Sequence, residues 1–189
     1  MRALALAVQA IGGLNRLVGN VFSWLAVGVV AICFIVVVQR YLFHTTFLWM
    51  QDLYVWLSGA MFTAVAGFAL FRDDHVRVDI LYRPASTRTK AICDIVGVLI
   101  FLFPFMFVVW TWGLPYVQRS WSFYEASQNI GGMPGLFVLK TFILVFAVLI
   151  ALQGVSMIAR AILVLADKED LLPPAYRYPV EAEEEMPSV

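Results

Sequence analysis

The sequence predicts an all-α membrane protein of four transmembrane helices with both termini cytoplasmic, preceded by a short amphipathic helix at the membrane interface. Three observations carry that prediction. The chain of 189 residues is 62% hydrophobic and only 14% charged, where an average soluble domain is about 25% charged. Four long stretches contain no charge, each close to the roughly 20 apolar residues that a helix needs to cross a bilayer. Between the second and third lies a dense polar segment, Phe71 to Lys90 (FRDDHVRVDILYRPASTRTK), which holds five of the 13 cationic residues.

Residues 1–19 come first. Ala3 to Val8 is shorter than the roughly 7–15 residues of a signal-peptide core. Arg2, Gln9 and Arg16 recur every seventh residue along one narrow helix face, which predicts a helix lying on the membrane surface. Leu17 to Gln39 is 23 residues without a charge, so the first span is expected at about 20–39. Arg40 and Tyr41 end it, a guanidinium that can snorkel and a ring suited to the interface.

The second run, Leu53 to Phe71, has 19 residues and predicts a span at about 52–71. Phe47, Leu48 and Trp49 lead into it as an interfacial anchor. Asp52 falls in the expected first turn, where a carboxylate favours the positive end of the helix dipole. Gly59, Thr63 and Gly67 recur at intervals of four with Ala60 and Ala64 beside them. Small residues at that spacing let two helix backbones approach closely in lipid. The partner in that approach is either another helix of this chain or a second protein.

Ile95 to Gln118 is the third run, 24 residues, with its span at about 95–117. Pro104 in its middle predicts a kink, and Trp110, Trp112 and Tyr116 form an aromatic belt at its far end. A polar loop with interleaved aromatics follows, including Tyr124 and Glu125. Gly131 and Gly132 break any helix there, and Pro134 suits the first turn of the next one. The fourth run, Thr141 to Ala159, is 19 residues, with its span at about 138–160. The membrane domain thus covers 20–165. Residues 166–189 hold seven carboxylates and four prolines against Lys168 and Arg177, which predicts a disordered acidic tail.

Orientation follows from the cations. With the N-terminus inside, ten of them face the cytoplasm, and Arg40, Arg119 and Lys140 lie outside. Cytoplasmic loops carry the excess of Lys and Arg, so both termini and the central loop are placed inside.

The same residues exclude several functions. Zero formal net charge with a basic loop offset by an acidic tail argues against nucleic-acid binding. Cys33 and Cys93 read as two buried small apolar residues. No metal-binding spacing, cofactor motif or nucleophile–base pair is present, so no cofactor, metal site or enzymatic activity is expected. The four runs contain no Asp, Glu, Lys, Arg or His, whereas ion and proton pathways place such groups at membrane depth. An accessory or scaffold subunit is the reading that survives.

At this point the residues resemble a family. Gln39-Arg40-Tyr41, then Phe47-Leu48-Trp49-Met50-Gln51-Asp52, Gly59 and Asp74-His75-Val76-Arg77-Val78-Asp79-Ile80 are similar to the small membrane subunit of tripartite ATP-independent periplasmic (TRAP) transporters. Ser120 to Lys140, with Glu125, Ser127, Gly131-Gly132-Met133-Pro134-Gly135 and Lys140, resembles one branch of it. Asp52 departs from the pattern, since many members have Glu there. The resemblance implies a four-helix scaffold in the bacterial inner membrane, joined to a larger membrane subunit that holds the solute and sodium sites. It also implies a periplasmic solute-binding protein that delivers an organic acid, and contact with membrane lipids. Trp49, Asp52, Gly59, Thr63 and Gly67 are the expected partner-facing residues, with His75, Arg77 and Asp79 as a structural cluster in the cytoplasmic loop and Tyr124 and Glu125 in the periplasmic one. The rival expectation is an anchor or assembly subunit of another inner-membrane complex.

Overall fold

The computed structural model describes residues 1–72 and 85–178. Its helices are α1 (Arg2–Ser23), α2 (Leu25–Leu42), α3 (Leu48–Phe71), α4 (Thr87–Gly97), α5 (Phe103–Ser122) and α6 (Leu136–Leu165). Among the described residues there is no strand. Taken end to end they give four helices long and apolar enough to cross a membrane: Arg2–Leu42, Leu48–Phe71, Thr87–Ser122 and Leu136–Leu165. Each continues beyond the uncharged run that predicts it. A charge ends a hydropathy run, but Arg and Lys are good helix formers, and the helices carry on through Arg16, Arg40, Lys90, Arg119, Lys140 and Arg160.

The bundle is built on α6 and α3. Helix α6 packs against α1, α3, α4 and α5, and α3 packs against α1, α2 and α6. Around them Met106, Ala147 and Ile150 form one buried apolar cluster. Helix α2 buries no residue, and Val30 and Phe34 are exposed along it. Apolar side chains left outside a bundle of this length are suited to lipid or a partner helix.

The amphipathic helix expected over 1–19 is longer and differently used. It runs to Ser23, breaks only at Trp24 and continues as α2. Ala5, Val8, Gly12, Asn15 and Gly19 form its buried face, and that face lies on α3 and α6. A Cβ added at Gly12 or Gly19 would overlap the rings of Tyr176 and Phe71 or of Phe68. The small residues are what let the helix close onto the bundle.

The irregularity expected at Pro104 takes the form of a π-helical turn over Val98–Leu102, between α4 and α5. Proline supplies no N–H for the residue four back and its ring crowds that carbonyl. A π turn just upstream absorbs the misfit. Pro134 lies ahead of α6, not in its first turn. Gly135 separates them at φ 100°, a left-handed conformation that glycine adopts freely and a helix cannot use.

Two further expectations are corrected. Cys33 is half-buried and Cys93 exposed, and both are free. The first part of the tail expected to be disordered, residues 166–178, folds back on the bundle. Leu172 is 1% exposed beside Ala5, Val8, Ala159 and Leu163, and Tyr178 packs against Ala91, Ala161 and Val164. This part of the tail carries Leu171, Leu172, Tyr176 and Tyr178, enough apolar surface to repay ordering, while the acidic run lies in 181–185. Residues 179–189 lie outside the described ones.

Candidate functional site

The polar groups collect at the two ends of the bundle and at one point within it. At the first end α3 begins at Leu48, so Asp52 lies in its second turn and not at its cap. Its carboxylate is turned to the loop between α5 and α6. Oδ1 accepts from Nδ2 of Asn129 at 3.0 Å and Oδ2 from the backbone N–H of Met133 at 3.0 Å. A Cβ on Gly132 would come within 2.5 Å of Asp52 Oδ2 and 2.6 Å of Ser127 Oγ. The helix before this loop ends already at Ser122, and Gly132 lets the loop sit down on the carboxylate.

A second clamp holds the same loop. Glu125 Oε2 accepts from Ser120 Oγ at 2.6 Å and from Lys140 Nζ of α6. The Lys140 ammonium also lies 4.1 Å from the Tyr116 ring centroid, a cation–π contact. Lys140, and then Ser120, hold the Glu125 carboxyl below the usual carboxylate range, against an opposing effect of burial. Trp121 Nε1 donates to Thr141 Oγ1 at 2.9 Å, and its ring meets Phe137 edge-on. Tyr124 projects outward at φ 50° and 71% exposed. The loop is a fixed platform tied to α3, α5 and α6.

Within the bundle, Asn15 Nδ2 donates to Gln153 Oε1 at 2.8 Å, with the residues 1% and 4% exposed. This pair is absent from the sequence reading. An amide at this depth is costly unless bonded, and the two amides meet because Gly67 makes room. A Cβ there would approach Asn15 Oδ1 to 2.6 Å and Leu149 Cβ to 3.1 Å.

At the opposite end Asp94 of α4 ties three elements together. Its Oδ2 accepts from Tyr178 Oη at 2.7 Å and from Arg160 NH2 at 3.2 Å, and the Arg160 guanidinium lies 4.2 Å from the Tyr178 ring centroid. Arg88 and Asp167 pair at 2.6 Å on the surface, where an ion pair contributes little.

The expected partner-facing residues separate on this framework. Asp52 and Gly67 are taken up by intramolecular contacts, the first by the loop and the second by α1 and α6. Gly59 is half-buried, with Leu139 Cδ1 at 3.4 Å from the position of a Cβ. The Thr63 hydroxyl donates within its own helix, 2.8 Å from the Gly59 oxygen. Trp49 remains 44% exposed. His75, Arg77 and Asp79 lie outside the described residues.

A family model described as tripartite ATP-independent periplasmic transporters, DctQ component, matches residues 29–164. No curated protein matches the chain, and no solved structure does.

Proposed function

The chain belongs to the DctQ component family of tripartite ATP-independent periplasmic transporters, and we propose that it is the fixed scaffold on which a larger membrane subunit moves its solute. Family membership carries this reading. The bonding of its polar groups supports it, because Asp52, Glu125, Lys140, Asn15, Gln153 and Asp94 are engaged in holding helices, loop and tail together. A scaffold needs rigid internal bonding and broad apolar outer faces, and both are present here. In this proposal the chain lies in the bacterial inner membrane beside the larger subunit. A periplasmic solute-binding protein supplies an organic acid, and a sodium gradient drives its uptake.

The proposed orientation has both termini and the central loop in the cytoplasm. The charge asymmetry supports it, and so does the convergence of Arg16, Arg72, Arg160 and Arg177 at one end of the bundle. Reporter fusions after Arg83 and after Val189 should behave as cytoplasmic and a fusion near Glu125 as periplasmic; an exported reporter after Arg83 overturns the orientation. The function is tested by purification from native membranes, where the chain should come with a larger polytopic subunit.

A further inference from the structure

The arginine-bearing end of the bundle holds a cavity of about 330 Å³, within the size range of small-ligand pockets. It is lined by Arg16 of α1, Phe68 and Phe71 of α3, Arg72 just beyond it, Arg160 of α6, and Ala175 and Arg177 of the docked tail. Four arginines from four parts of the chain thus line one space. Arg177 is fixed by neutral acceptors, its Nε donating to the Leu172 oxygen at 2.7 Å and its NH2 to the Asp170 oxygen at 3.2 Å. Arg16 lies over the Phe71 ring, 5.8 Å from its centroid, and Arg72 over Phe68 at 5.6 Å. Carbonyl oxygens hold Arg177 and an aromatic face holds Arg16, neither of which cancels the charge of the guanidinium. Arg160 is positioned through Asp94, which it shares with Tyr178.

The chemistry of this cavity suits an oxyanion. A guanidinium is planar, always charged and forked to match phosphate oxygens. The cavity lies where α3 ends, at the edge of a helix of membrane-spanning length. Basic pockets between membrane helices at that level take anionic headgroups. Phe68 and Phe71 make part of the wall apolar, which suits glycerol and the first acyl carbons more than a hydrated inorganic ion.

We propose that this cavity binds the phosphodiester headgroup of an anionic phospholipid, with the tail residue Arg177 closing it from outside. Because one wall belongs to the tail, lipid occupancy and tail docking reinforce each other. The site requires only that this end of the bundle meet a leaflet surface.

The test is native mass spectrometry of the full chain, in whatever complex it is isolated, titrated with phosphatidylglycerol, phosphatidylcholine or inorganic phosphate. Phosphatidylglycerol should be retained over phosphatidylcholine. Replacing Arg16→Gln and Arg177→Gln together should weaken phosphatidylglycerol binding about tenfold, the loss of charge-assisted hydrogen bonds, and leave phosphatidylcholine unaffected. Arg88→Gln removes a cation outside the cavity and should change nothing. Arg16 is exposed, so Arg16→Gln alone should lower retention with the tail still docked if the double variant loosens it. Equal binding by wild type and both Arg16 variants overturns the proposal, as does an equal loss in Arg88→Gln. Displacement of the lipid by inorganic phosphate at matching concentration assigns the cavity to a soluble anion and overturns it too.

Discussion

Asp52 is visible in the sequence as a carboxylate beside an apolar run, and a dipole role is the nearest inference from that position. Its actual partners, Asn129 and Met133, are 77 and 81 residues away, a separation that no local pattern encodes. Asp52→Ala leaves the half-buried Met133 backbone N–H without its acceptor, at about 1–3 kcal/mol for a buried unsatisfied donor, while the exposed Asn129 amide can turn to water. The variant's thermal unfolding midpoint should fall and proteases should cut within residues 123–135; an unchanged midpoint with an intact loop contradicts the assigned role. Glu125 makes a pH-dependent contribution. Its folded pKa lies below the usual 4.5, so its contribution is present above 4.5 and is lost as pH falls through the folded value. The stability difference between wild type and Glu125→Gln should hold steady from neutral pH to about 5 and shrink below the usual glutamate range. A difference that grows on acidification would show the sign to be wrong.

The spans were legible at the scale of elements because absence of charge over about 20 residues is a strong signal. Less legible was which face of each helix turns inward. In α1 the seven-residue recurrence of Arg2, Gln9 and Arg16 identifies one polar stripe, but the neighbouring stripe of Ala5, Val8, Gly12, Asn15 and Gly19 is too small to read as apolar. Its meaning appears only when Phe68, Phe71 and Tyr176 fill the space beside it. The small-residue series of α3 was legible as a packing face, with its partner left open. Gly67 settles its own part, since α1 and α6 occupy that position. Gly67→Leu should therefore destabilise the chain even when it is expressed without partners, by about 1–3 kcal/mol or more as overpacking. Gly59→Leu, facing only Leu139 at contact distance, should be milder. Detergent-solubilised melting of the two variants checks this, and equal midpoints would place Gly67 outside the internal packing.

As a whole molecule, the chain joins a rigidly bonded interior to an apolar exterior. Its loop is clamped at Asp52 and Glu125, its tail at Asp94, and its first helix at Asn15. Part of that tail escaped the sequence reading because the acidic residues of 181–185 dominate its composition, while the docking residues, Leu172 and Tyr178, are isolated among prolines. Such a body is suited to hold a moving neighbour in place. The most direct measurement is affinity purification of the chain, tagged after Val189, from its native membranes in mild detergent, followed by mass spectrometry of what accompanies it. A larger polytopic membrane protein should co-elute in fixed proportion, and solute uptake should be lost when this chain is deleted. Recovery of the chain alone, or within a respiratory or signalling complex, with uptake unaffected by its deletion, would contradict the account.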